Sequence, residues 1–140
     1  MADLQRFLDA QRATYDRALQ ELGAGRKRSH WMWYMFPQLA GLGFSATSQL
    51  YGISDLDEAR AYLAHPVLGA RLLECVDVLL ALPAHLTASE IFGYPDDLKL
   101  RSCATLFALA SPPGSPFERL LDRFYEGTQD ERTVTLLAHG

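Results

Sequence analysis

Residues 26–28 are Arg-Lys-Arg, and they run through Ser29 into His30, Trp31, Met32, Trp33, Tyr34, Met35 and Phe36. A cationic side chain beside an aromatic face attracts a planar anion in two ways, by charge and by stacking. Arg26, Arg28, Trp31 and Trp33 are therefore candidate binding residues. His30 is a candidate proton carrier, because an imidazole titrates near neutrality. A buried tryptophan also needs a partner for its indole N–H, so an indole following a cationic run has a use besides filling space. Met32, Met35 and Phe36 have no such use and are assigned to the core.

A second segment, IFGYPDDLKLRSCATLF at 91–107, has the letters of an anion site. Pro95, Asp96 and Asp97 open a helix, and Lys99 and Arg101 follow in its first turns, where unpaired backbone N–H groups favour negative charge. Lys99 and Arg101 are candidate ligand contacts, and Asp97 is a candidate group for orienting them or moving a proton. The same letters allow surface pairs, Asp96 with Lys99 at i,i+3 and Asp97 with Arg101 at i,i+4, each worth about 0.2–0.5 kcal/mol.

Other motifs carry less. Gly41 to Ala46 fits G-x-G-x-x-A, but Pro37 interrupts the preceding apolar run and Tyr51-Gly52 cuts the following helix, so a glycine-bearing loop is expected rather than a dinucleotide fold. Cys75 and Cys103 form no C-x-x-C and read as buried free thiols in a reducing compartment. His30, His65, His85 and His139 lack metal-ligand spacing, so no metal site is expected. There is no G-x-S-x-G elbow for nucleophilic catalysis.

The elements that must position these residues are helical. Apolar residues from Leu4 to Leu22 recur at three- and four-residue spacing, which predicts one helix over 3–22, stopped by Gly23 and Gly25. Arg12 and Glu21 fall off that stripe. Ser29 is expected to cap a short helix from His30 to Phe36, which Pro37 ends. Ser54 with Asp57 and Glu58 predicts another helix start. His65-Pro66 breaks that helix, and the next, to about Pro83, has an apolar arc wide enough for the centre of the core. A short turn at 89–92, a long helix from Pro95 to about Ala110, one from Ser115 or Pro116 to Gly127, and a last one capped by Asp130 complete the series. No segment alternates as a strand should. One all-α domain over 1–140, of six or seven helices, is expected.

Bulk properties exclude several classes. With 49% hydrophobic and 21% charged residues, the 140-residue chain has a globular balance. Its net charge of −4 gives no overall case for nucleic acid or an anionic membrane. No apolar run approaches the roughly 20 residues a bilayer span needs. The first residues do not read as a signal peptide, so a cytoplasmic location is expected.

GRKRSHWMWYMFPQLAGLG, YGISDLDEARAYLAHPVLGARL and IFGYPDDLKLRSCATLF together resemble a bacterial and fungal family of unknown function. The resemblance spans residues 4–137 and implies an all-α domain, with no activity or catalytic residue to carry over. Some members bear the label "calpastatin"; an inhibitor of that kind is a disordered chain, whereas this sequence has a core. The chain departs from the family pattern at Cys103, where a serine is expected, so no catalytic serine is assigned there.

Three functions fit these residues. The first is binding of, or action on, a small anionic planar ligand of nucleotide type between residues 26–36 and 94–101. That requires Trp33 and Lys99 to meet in space. The second is a protein-interaction module using the basic-aromatic surface. The third, single-stranded nucleic-acid binding, is the weakest against an acidic chain. No cofactor is implied, and whether the protein is an enzyme, and its oligomeric state, stay open.

Overall fold

A computed structural model describes residues 3–139. The described residues form ten helices rather than six or seven, and the stretch expected as one helix over 3–22 is two: α1, Gln5–Arg12, and α2, Tyr15–Gly23. Polar residues in the middle of the stripe cause the break. Gln11 is buried, with its amide nitrogen donating to the Tyr34 carbonyl at 2.8 Å and to the Tyr62 hydroxyl at 3.1 Å. Thr14, at the turn, accepts from the Tyr34 hydroxyl. The turn re-aims α2 so that Ala18 and Leu22 reach the core that Phe7 of α1 also enters.

The aromatic segment gives only one turn of helix, α3, Met32–Met35. Ser29 does not cap it; its hydroxyl and N–H both turn to Glu21. Met32, Met35 and Phe36 are buried as expected. The chain then extends, and Leu39 pairs with Ile53 in one isolated parallel bridge. Gly52 is required there, because a Cβ would lie 2.8 Å from Ala40 Cα. Between these lies the G-x-G-x-x-A segment, a loop with Gly41 at φ +96° that leads to the five-residue α4, Ala46–Leu50.

Asp55, not Ser54, caps α5, Leu56–Ala64, by accepting from the Glu58 N–H. The break at His65-Pro66 leads into α6, Leu68–Leu80. Gly69 lets the two helices touch: a Cβ there would meet the Leu63 carbonyl oxygen at 2.1 Å. Thr87 and Glu90 form a capping box on α7, Ala88–Phe92. α8, Asp96–Leu109, begins behind Pro95 as its acids predict. Ser115 caps α9, Pro116–Tyr125, and Asp130 accepts from the Thr133 N–H at the start of α10, Glu131–His139.

The central helix is α8 rather than α6. Ser102 to Ala108 are buried on every side of α8, which packs against α5, α7, α9 and α10. α6 buries one face only, including the free thiol of Cys75. A fully buried helix normally reads as all apolar, but here Ser102 and Thr105 are accommodated because their hydroxyls have acceptors inside the fold, Asp130 Oδ2 at 3.0 Å for Ser102 and the Arg101 carbonyl at 2.8 Å for Thr105. Among the described residues no helix is long and apolar enough to cross a membrane.

Candidate functional site

The loop from Arg26 to Trp31 is organised by an acid on the preceding helix. Glu21 reads as a solvent-face residue of α2, yet it is buried and its carboxylate receives four hydrogen bonds. Oε1 accepts from the Arg28 N–H at 2.7 Å, the Ser29 N–H at 2.9 Å and the Trp31 Nε1 at 3.0 Å, and Oε2 accepts from the Ser29 hydroxyl at 2.6 Å. Burial works against the charge, but these donors outweigh it and bring the Glu21 pKa down to about 2. The indole of Trp31 is thereby satisfied inside the core, only 1% exposed, with its ring against Phe36 and Phe92. Trp31 cannot stack on a ligand. Its assignment as a binding residue is corrected: the indole N–H found its partner in the protein.

A second acid ties this loop to α8. Asp96 holds Lys27 Nζ at 2.8 Å and Lys99 Nζ at 3.0 Å. Burial raises its pKa, but the two ammonium groups outweigh that and leave the carboxyl below its ordinary value. Each lysine also sits over a tryptophan, Lys27 Nζ 5.1 Å from the Trp31 ring centroid and Lys99 Nζ 4.2 Å from that of Trp33. The order Trp31, Lys27, Asp96, Lys99, Trp33 is thus a continuous chain of cation–π and ion-pair contacts. Its cation–π contacts are each worth about 0.5–2 kcal/mol.

Trp33, unlike Trp31, borders open space. A cleft of about 360 Å³ lies between α3 with the 38–43 loop on one side, the first turns of α8 on another, and the start of α10 at the end. Trp33, Gln38, Lys99, Arg101, Asp130 and Arg132 line it. Among the described residues Arg101 and Arg132 take part in no ion pair. Asp97 does not restrain Arg101 as i,i+4 spacing allowed; it accepts from the Leu98 N–H. Gln38 is 9% exposed, and among the described residues its amide nitrogen has no hydrogen-bond partner; nor does the buried Nε of Arg101. Both nitrogens are sealed from solvent, on residues that line the cleft, and an unsatisfied buried polar group costs about 1–3 kcal/mol. A larger depression of about 500 Å³, beside Leu39 and Leu136, offers only acids already in use: Asp55 caps α5 and Asp57 pairs with Arg60.

The structure therefore brings together Trp33, Lys99 and Arg101 from the sequence-derived set. It leaves Arg26, Arg28 and His30 as exposed loop residues outside the lining of the cleft, and Asp97 also lies outside it. Neither candidate proton carrier faces the space a ligand would fill. The residues missed were Lys27, Gln38, Asp130 and Arg132. Lys27 stood between two arginines with nothing to mark it as the buried one. Gln38 follows Pro37 as an ordinary loop residue, and Asp130 was legible as a helix cap but not as the wall of a cleft.

A family model described as "Protein of unknown function (DUF1810)" matches residues 1–137. Among solved structures, the crystal structure of the conserved hypothetical protein Rv1873 from Mycobacterium tuberculosis is similar to this chain. It is 52% identical with a TM-score of 0.94, and the match covers 97% of this chain and 96% of that one. No curated protein matches the chain.

Proposed function

The chain belongs to the family described as "Protein of unknown function (DUF1810)", and from that starting point we propose that it binds a small anionic, planar ligand of nucleotide type in the cleft between Trp33 and α8. The observation that carries this reading is the placement of an indole under an ammonium group, 4.2 Å apart, beside two arginines that have no acidic partner among the described residues. A ring stacks on Trp33, and a phosphate or carboxylate meets Arg101 and Arg132. Lys99 is shared with Asp96 and contributes mainly by fixing the indole. The volume lies within the roughly 300–1,000 Å³ usual for small-molecule sites. A protein-docking reading asked for an exposed tryptophan on a flat face. Trp31 is sealed and Trp33 borders a cleft, so both count against it.

A thermal-shift screen against nucleoside monophosphates, sugar phosphates and metabolite acids tests the proposal. A ligand at 100 times its dissociation constant adds about 2.7 kcal/mol of stability. Arg101→Ala is expected to remove most of that gain. Absence of any stabilising anion, or an undiminished gain in Arg101→Ala, would overturn the reading.

A further inference from the structure

The cleft contains one feature that a simple anion site would not want, a carboxylate among its cations. Asp130 uses one oxygen for structure: Oδ2 accepts from the Ser102 hydroxyl at 3.0 Å, the Thr133 N–H at 3.2 Å and the Thr133 hydroxyl at 2.6 Å. Its N–H is held by the Thr105 hydroxyl oxygen at 2.9 Å. Among the described residues Oδ1 accepts no hydrogen bond, and it is not sealed from solvent as the orphaned Gln38 and Arg101 nitrogens are. Neither Arg101 nor Arg132 comes within ion-pair distance of it. Oδ1 is thus an acceptor without a donor, on a side chain pinned by α8 and α10 and lining the cleft.

Gln38 is the contrasting case. Its backbone carbonyl accepts from the Ile53 N–H at 2.8 Å, and the bridge between Leu39 and Ile53 fixes the backbone there. Among the described residues its side-chain nitrogen is buried without an acceptor, out of reach of a ligand in the cleft. The group open to the cleft is Asp130 Oδ1, and it needs a donor. A hydroxyl supplies one, and a vicinal diol two.

Resting on the nucleotide reading above, we propose that Asp130 Oδ1 accepts from the ribose hydroxyls of the ligand, so that the cleft selects ribonucleotides over deoxyribonucleotides. The lining has the parts this needs: an indole for the base, Asp130 for the sugar, Arg101 and Arg132 for the phosphate. Because Oδ1 accepts and does not donate, a bare phosphate or a dicarboxylate leaves it unmatched and meets its charge.

The test is calorimetric titration of the wild-type protein with AMP, GMP, CMP and UMP and with their 2′-deoxy and 3′-deoxy counterparts. Removing a hydroxyl that donates to a carboxylate is expected to weaken binding about tenfold or more. In Asp130→Asn, one amide oxygen can keep the Ser102 and Thr133 contacts while an NH₂ replaces Oδ1. The ribose preference should then fall severalfold with the phosphate contacts kept, because a charge-assisted bond is replaced by a neutral one. Gln38→Leu is expected to leave the preference unchanged while keeping or raising Tm, because it removes an unmet buried donor. Equal binding of ribo and deoxy forms to the wild type overturns the sugar assignment and leaves the nucleotide reading standing. No binding by any of these nucleotides overturns both. Because the wild-type comparison decides alone, a variant that fails to fold does not rescue the proposal.

Discussion

Trp31 and Trp33 stand two positions apart, each with a lysine ammonium on its ring, and both lysines hold the same carboxylate, Asp96. Their surroundings on the other side are opposite. Trp31 is enclosed by Phe36 and Phe92, with its N–H bound to Glu21, so nothing from outside can reach it. Trp33 is partly exposed and borders a cleft with unpaired cations. A cation beside an aromatic ring is therefore not in itself a sign of a ligand site. What separates a structural contact from a binding contact is whether the remaining face and the nearby polar atoms are already satisfied. By that criterion Glu21 completes the Trp31 half, and the cleft beside Trp33, lined by Arg101, Asp130 and Arg132, leaves the other half open.

The largest expected difference between the halves is in stability. Trp31→Ala should cost about 3–5 kcal/mol, as for a large aromatic removed from a core, whereas Trp33→Ala should cost a fraction of that and abolish ligand-induced stabilisation. Chemical denaturation of both variants checks this. Equal costs would break the distinction between core and cleft.

A smaller effect is expected at Glu21. Glu21→Gln weakens the acceptor of four hydrogen bonds, since a bond to a charged group is worth about 1.5–3 kcal/mol against about 0.5–1.5 kcal/mol for a neutral one. The pH dependence sharpens this. A carboxyl with a pKa of about 2 in the fold and an ordinary value of 4.5 when unfolded binds fewer protons in the folded state. Its stabilisation is fully present above about 4.5 and is lost as pH falls toward 2. Urea unfolding across that window should show a shallower acid limb in Glu21→Gln, with the limb due to Asp96 remaining. An unchanged limb would remove Glu21 as the organiser of the loop.

The smallest effects belong to the exposed residues of the same loop. Arg26→Ala, Arg28→Ala and His30→Ala should each stay within about 0.5 kcal/mol of wild type and leave ligand-induced stabilisation in place. A loss of ligand stabilisation in any of them, read by thermal shift, would move the site from the cleft toward the loop.

The separation of core from surface was legible for Met32, Met35 and Phe36, because apolar side chains in a short segment have one place to go. It was not legible for the cations. Lys27 is taken inward by Asp96, 69 residues further along the chain, while Arg26 and Arg28 stay in water. The likeness of α6 to a central helix failed for a related reason. Its apolar arc is wide, but α8 tolerates Ser102 and Thr105 inside the core because Asp130 and the Arg101 carbonyl accept from their hydroxyls, and so takes the central place with a more polar sequence.

The sequence by itself determined the all-helical class and most helix boundaries: the break at His65-Pro66, the start behind Pro95, and the caps at Ser115 and Asp130. These depend on a few neighbouring residues meeting unpaired backbone groups, so the information is local. Only the tertiary structure decided which tryptophan is core and which borders a site. That outcome depends on Glu21, Gln38, Asp96, Arg101 and Asp130, which are spread along the chain and meet only once the helices pack. A side chain's role is set by which of its polar atoms remain unpaired after folding, and no spacing in the sequence records that remainder.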